Sequence, residues 1–384
     1  MTAAEVVLSS LEPETAIGRP VHELETPALL IDLDVLEANI ARTLEIAGAA
    51  GARLRPHIKT HRMAEVAARQ IEAGAQGICC AKTGEAEAFA DAGVDDIFIA
   101  NQIVGVAKLA RLRELAERVR LAVGVDRHKH VQMLSEAFRE ADTPLDVSVE
   151  IDVGQVRTGV AEVGDAVSLA REVLAAPGLA LRGVYTHEGH DYGVADATEL
   201  ASVADAAQRQ MLETAEAIRS QTDAPCEVSM GSTPSLYNRT FLPGIDELRP
   251  GTAVFNDGSH ANLLGHTDWC AATVLATVVN RPAADRIVLD AGGKALTSDK
   301  RGPSILQNPG YGLIVDHPDA TLASLSDEHG VVQTPNAVAF EIGQTLHIIP
   351  NHICPCVNLY DHAFAARGGV VQAVWKVTAR GRSQ

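Results

Sequence analysis

Aromatic side chains are scarce: Phe, Tyr and Trp make up 4% of 384 residues, so a core must be built from Ala, Val, Leu and Ile. The six cysteines (Cys79, Cys80, Cys226, Cys270, Cys354 and Cys356) form no regular disulfide framework, and a chain of this size needs none. No stretch approaches the ~20 apolar residues of a membrane span. The opening MTAAEVVLSSLEPETAIG lacks the basic and apolar regions of a secretory signal, so a cytoplasmic location is expected. Positive charge is also in deficit, with 32 Lys and Arg against 50 Asp and Glu, a formal net charge of −18. Such a surface repels phosphate backbones and anionic lipid, which argues against nucleic acid and membrane as partners. Solubility accounts for the charge, and any anionic ligand must be held by a local cluster of donors against the global field.

What is present is length and alternation. Single cores stop growing at roughly 250–300 residues, so this chain has room for a large barrel and a second domain. Short apolar runs begin at Ala28, Arg53, Gly77, Asp96, Leu121, Leu145, Leu181, Glu227 and Glu247. Ala/Glu/Arg-rich helical patterns such as MAEVAARQIEAG and VAKLARLRELAERV lie between them. Repeated strand–helix units on short apolar strands predict a parallel sheet covered on both faces, and about eight units predict a closed (β/α)8 barrel. After about Trp269 the pattern becomes β-branched runs with few helices, which predicts a mostly antiparallel β-domain. The division is therefore a barrel over 26–265, with 1–25 and 266–384 in the β-domain.

Polar residues gather at the predicted carboxyl ends of the strands: Lys59, Asp152, His187 and Ser232, where barrel enzymes build their sites. Lys59 lies near the end of RLRPHIKTH, between His57 and His61. An apolar, cationic neighbourhood disfavours its ammonium form and frees the amine for a Schiff base. The plain alternative is a surface lysine capping a strand.

PHIKTH resembles the PH-x-K-x-H segment of the D-serine dehydratase and D-threonine aldolase family, fold-type III pyridoxal-phosphate enzymes similar to alanine racemase in having a barrel followed by a β-domain. The likeness continues through TPALLIDLD, GICCAKTGEAEAFADAG, VEIDVGQVRTGV, SDEHGVV and PNHICPCVNLYD, nearly the whole chain. It implies that Lys59 carries pyridoxal 5'-phosphate. It also implies that Arg157 fixes the phenolate oxygen of the cofactor; an ion pair of Arg157 with Glu150 or Asp152 is the rival reading. Tyr185 and His187 alternate on one strand and so share a face, as neighbours of the cofactor ring; His190 could be a loop residue.

MGSTPS is the candidate phosphate turn, with Gly231 permitting close backbone approach and Ser232 and Thr233 adding hydroxyls. RPGTA resembles the phosphate-binding RPG segment of alanine racemase, which implies that Gly251 and Thr252 donate to phosphate and that Arg249 faces the ring nitrogen. In PNHICPC, His352 and Cys354 are two apart in a strand-like run and so on one face, able to bind one ion. Imidazole plus thiolate favours zinc, with manganese, cobalt or magnesium as alternatives. Cys354 with Cys356 is a rival pairing, and SDEHG is either a support of the site or a polar turn.

The resemblance implies a lyase acting on a small D-amino acid, and a homodimer. H-x-C is the dehydratase form of the motif and H-x-D the more common aldolase form. The expected reaction is therefore loss of the β-hydroxyl from D-serine, D-threonine or D-threo-3-hydroxyaspartate, giving a 2-oxo acid and ammonia. The alternatives are a D-threonine-type aldolase yielding glycine and an aldehyde, and a non-enzymatic cofactor-binding barrel.

Overall fold

Strand β1 (Ala28–Asp32) reads like a barrel strand, with four buried apolar residues before an exposed Asp. In the computed structural model, which describes residues 12–238 and 240–384, it pairs elsewhere. Its neighbours are an antiparallel strand starting at Ala272 and a parallel one starting at His362. An apolar run specifies burial but not which sheet buries it.

Two units divide the chain. One comprises Ala41–Lys59, Ala64–Gly251 and Gly381–Gln384; the other comprises the described residues up to Ile40, Thr60–Met63 and Thr252–Arg380. The breaks thus fall near residues 40 and 252 rather than at 26 and 265. Of the residues 1–25 assigned to the β-domain, 1–11 lie outside the described residues.

The first unit holds eight parallel strands: β2 (Arg53–Leu54), β3 (Ile78–Cys80), β4 (Asp96–Gln102), β5 (Arg120–Val125), β6 (Leu145–Glu150), β7 (Leu179–Tyr185), β8 (Glu227–Met230) and β9 (Glu247–Leu248). Their spatial order is β2-β9-β8-β7-β6-β5-β4-β3. A parallel bridge between His57 and Cys79, with Cys79 N donating to Pro56 O at 2.8 Å, closes the ring. The expected barrel is therefore present, with eight of the nine candidate strands.

Helices between the strands bury stripes of small and aliphatic side chains. In Ala197–Thr222 the stripe is Leu200, Ala204, Ala207, Met211, Ala215 and Ile218, the spacing of one helical face. Asp196 caps its start through Thr198 N and Glu199 N, and Asp223 ends it in the left-handed region. Inside the barrel Cys79, Phe98, Ala122 and Tyr185 form one cluster. Gly124 makes room for it, because a Cβ there would collide with the Tyr185 hydroxyl.

The second unit is a nine-stranded sheet. Besides β1 it contains β10 (Ala272–Ala283), β11 (Arg286–Leu289), β12 (Gly312–Ile314), β13 (Thr321–Leu325), β14 (Gly330–Gln333), β15 (Thr345–Pro350), β16 (His362–Arg367) and β17 (Val370–Lys376). Every pairing but β1–β16 is antiparallel, as expected of a β-domain. Among the described residues no helix is long and apolar enough to cross a membrane.

Candidate active site

Lys59 lies in the 3-10 turn Ile58–Thr60, just past the carboxyl end of β2, and is half-buried. Its amide N donates to His57 Nδ1 at 3.4 Å. His187 follows β7, and its pKa falls to about 3. Burial is the main cause, followed by Lys59 and Arg157 and then, more weakly, by Arg249; a hydrogen bond to the Gly231 carbonyl acts in the opposite sense. Three cations thus act on one neutral imidazole, and among the described residues none of them is in an ion pair. Glu150, the expected rival partner of Arg157, instead accepts from Gln102 Nε2, from Thr158 Oγ1 at 3.0 Å and from Tyr185 OH at 3.1 Å. Asp152 Oδ1 accepts from the backbone N–H groups of Gly154 and Val156. In a chain carrying −18, this local positive cluster could hold an anion against the global field.

Tyr185 lies a layer lower than His187, with 1% of its surface exposed. Its ring meets Phe98 edge-on at 5.1 Å, and the Arg249 guanidinium lies 5.4 Å from its centroid. Arg249, itself buried, donates to Ser229 Oγ and to Thr186 O, the latter at 2.6 Å.

The turn after β8 has Gly231 at φ +147°, where a Cβ would come 2.8 Å from Arg249 N. Ser232 caps the short helix Thr233–Tyr237 by accepting from Ser235 N. Thr233 is buried. Ser232 donates its hydroxyl proton to Asp191, a fully buried residue of the 3-10 turn Gly189–Gly193 that the sequence did not single out. Gly251 is half-buried beside Pro250, whose carbonyl accepts from His57 N at 3.0 Å.

In the β unit, His352 and Cys354 are not on a strand. β15 ends at Pro350, His352 is the N-cap of the short helix Ile353–Val357, and Cys354 sits in its first turn. Interactions among groups distant in sequence hold this turn. Asp257 Oδ2 accepts from Ile353 N at 3.2 Å, Ser259 Oγ donates to Asn351 O at 2.8 Å, and Asn351 Nδ2 donates to Asp299 O and Gly310 O. Asp299 Oδ2 lies 2.8 Å from His352 Nδ1, which leaves Nε2 as the nitrogen for a ligand. Burial lowers the His352 pKa, but Cys354 and Asp257 outweigh it and lift it to about 9. An ion bound here must therefore displace a proton.

The Cys354 thiol donates to Thr60 Oγ1 at 3.3 Å and lies 3.8 Å from Thr252 Oγ1. Thr252, expected at the phosphate, thus has its hydroxyl beside the thiol. Cys356 does not share the site: it is fully buried and its thiol donates to Ala295 O at 3.2 Å. Among the described residues no three or more His, Cys, Asp or Glu side chains converge as metal ligands, so His352 and Cys354 would hold an ion as a pair with open positions. SDEHG is the turn between β13 and β14, where Ser326 N donates to His329 O at 2.9 Å.

A lysine closing a strand of an eight-stranded parallel barrel, followed by an antiparallel β unit, defines a fold-type III enzyme of alanine racemase-like architecture. Residues 31–258 match the alanine racemase N-terminal domain, and residues 271–366 match the serine dehydratase domain. A D-threonine aldolase from Arthrobacter sp. is 36% identical over 98% of both chains. A D-threo-3-hydroxyaspartate dehydratase from Delftia sp. strain HT23 is 35% identical, over 90% of this chain and 96% of its own. The crystal structure of D-threonine aldolase from Filomicrobium marinum superposes with a TM-score of 0.86 at 33% identity, covering 96% of this chain and 98% of that one. The chain belongs to this family of pyridoxal-phosphate-dependent lyases, which contains both dehydratases and aldolases.

Proposed function

We propose that the protein is a dehydratase that uses pyridoxal phosphate and a divalent metal to remove the β-hydroxyl of a D-3-hydroxy amino acid, releasing a 2-oxo acid and ammonia. The observation that carries this reading is the Cys354 thiol beside His352, with Thr60 and Thr252 hydroxyls at 3.3 and 3.8 Å. A thiolate there gains two hydroxyl donors, and a thiolate–imidazole pair favours zinc over harder ions. Thr60 and Thr252 follow Lys59 and Gly251 directly in sequence. When bound, the cofactor supplies an electron-withdrawing ring and the metal a Lewis acid for the departing hydroxide.

The chain's own groups divide the rest of the work. Lys59, as an amine, takes the α-proton. His187, with a pKa of about 3, is neutral at any working pH; it offers a flat, uncharged surface and no acidic proton. Arg157, in no ion pair among the described residues, would hold negative charge, while Arg249 shares its charge with Glu247.

The second reading is a D-threonine-type aldolase, favoured by the 36% identity to the Arthrobacter enzyme. Zinc-loaded holoenzyme incubated with D-serine, D-threonine and D-threo-3-hydroxyaspartate separates the two. Oxo acid plus ammonia is expected, with loss of turnover on chelation. Glycine plus aldehyde as the main products would overturn the dehydratase.

A further inference from the structure

Asp191 is buried behind the turn that follows β8, and its surroundings are unusual for a carboxylate. One oxygen, Oδ2, accepts from Ser232 Oγ, from Ser235 N at 3.2 Å and from Ser235 Oγ at 2.6 Å. The other, Oδ1, has no hydrogen-bond partner among the described residues. Glu188, three residues earlier on the same turn, is also fully buried. A second buried carboxyl on the same turn disfavours the ionised form of Asp191. Burial first, then Glu188, lifts Asp191 to about 7, against the serine hydrogen bonds.

Few other charges bear on the pair. His190 shares the turn, and Asp152 acts on it from the loop after β6. The buried face of Ala197–Thr222 carries no ionisable side chain, and Thr233–Tyr237 offers only Tyr237.

A hydroxyl has one proton to give. With Asp191 ionised, Ser232 gives its proton to the carboxylate and cannot donate it to a ligand, and a negative charge lies behind the turn. With Asp191 protonated, the carboxyl donates to Ser232 Oγ, the serine's own proton becomes available, and the charge is gone.

We propose that Asp191 is a proton-carrying positioning residue of the phosphate turn: the cofactor's phosphate binds with uptake of one proton from solvent onto Asp191, which frees the Ser232 hydroxyl proton for the phosphate. This rests on the reading of Gly231–Thr233 as the phosphate turn. Asn at position 191 mimics the protonated carboxyl, so D191N takes the linkage away without adding bulk.

The test is the dissociation constant of pyridoxal 5'-phosphate, followed by absorbance from pH 6 to 9, for the wild type and D191N, with pyridoxal as the ligand lacking phosphate. The wild-type constant should rise relative to that of D191N by roughly tenfold or more between pH 7 and 9, with no such divergence for pyridoxal. The phosphate ester's own second ionisation, near 6, favours tighter binding at higher pH and so cannot mimic that loss. A pH-independent ratio, or D191N binding the cofactor far more weakly at every pH, overturns the proposal. Should D191N not fold, the wild type alone decides, by whether its preference for pyridoxal phosphate over pyridoxal falls above pH 7. A wild type that binds neither ligand overturns the cofactor reading itself.

Discussion

At the amino end of the barrel, Arg53, Arg55, Arg120 and Arg182 meet Asp96, Glu227 and Glu247 in ion pairs of 2.6 to 3.7 Å, around a polar cavity of about 170 Å³. At the carboxyl end, Lys59, Arg157 and Arg249 act on His187, and among the described residues none of them has an ion-pair partner. The first arrangement gives each of four guanidiniums a partner among three shared carboxylates and holds its charge within the network. The second leaves Lys59 and Arg157 without a paired acid, with Arg249 alone acting on one, Glu247; the excess positive charge costs stability in the empty protein and suits an anionic ligand. Charge at one end of the barrel is thus committed to ion pairs, and at the other it is open to a ligand, as the proposed cofactor site requires.

The hardest test of that contrast is Lys59→Ala. Turnover should fall at least ~10³-fold with loss of the lysine-bound cofactor's visible absorbance. The cofactor-free variant should be at least as stable to urea as the wild type, because one of three mutually repelling cations is gone. His187, relieved of a neighbouring charge, should titrate higher by NMR. A fall in stability instead would mean that Lys59 belongs to the structural set.

Glu247→Gln tests the opposite end. Burial pushes the Glu247 pKa up, but Arg55, Arg182 and Arg249 outweigh it and hold the carboxyl at about 2. Removing its charge takes one of two carboxylate partners from the buried Arg55 and from the half-buried Arg182, a loss of about 3 kcal/mol in urea unfolding. The pH dependence has a definite sign. The folded pKa lies below the unfolded one, so the stabilisation is complete above about 4.5 and is lost as pH falls toward 2, on the order of 3 kcal/mol in all. In the variant that acid-side slope should flatten.

Much of this was legible in the chain. Strand–helix alternation located all eight barrel strands, and the lysine and H-x-C motifs marked residues that do lie in structured polar surroundings. What failed did so for identifiable reasons. β1 has the same apolar run as a barrel strand, and local pattern cannot specify a sheet partner. His352 and Cys354 were placed on a strand because Ile and Cys read as β-formers, whereas the backbone turns after Pro350 into a short helix. Asp191, Asp299 and Thr60 were overlooked because each matters through a neighbour at least 41 residues away in sequence, a relation no local window contains.

Tyr185→Phe makes the smallest change and probes where the two regimes meet. The hydroxyl donates to Glu150 Oε2 at 3.1 Å, and Glu150 keeps Gln102 and Thr158 as donors when it is removed. The ring stays packed against Phe98 and below Arg249, so the loss is one hydrogen bond to a carboxylate, about 1–2 kcal/mol in urea unfolding. With 1% of its surface exposed, Tyr185 is out of reach of anything bound above it, and cofactor affinity should stay within about twofold of wild type, a change below ~0.5 kcal/mol. If affinity instead falls tenfold with stability intact, the boundary between the structural and the binding half of the barrel lies below Tyr185, and the tyrosine joins His187 in the binding set.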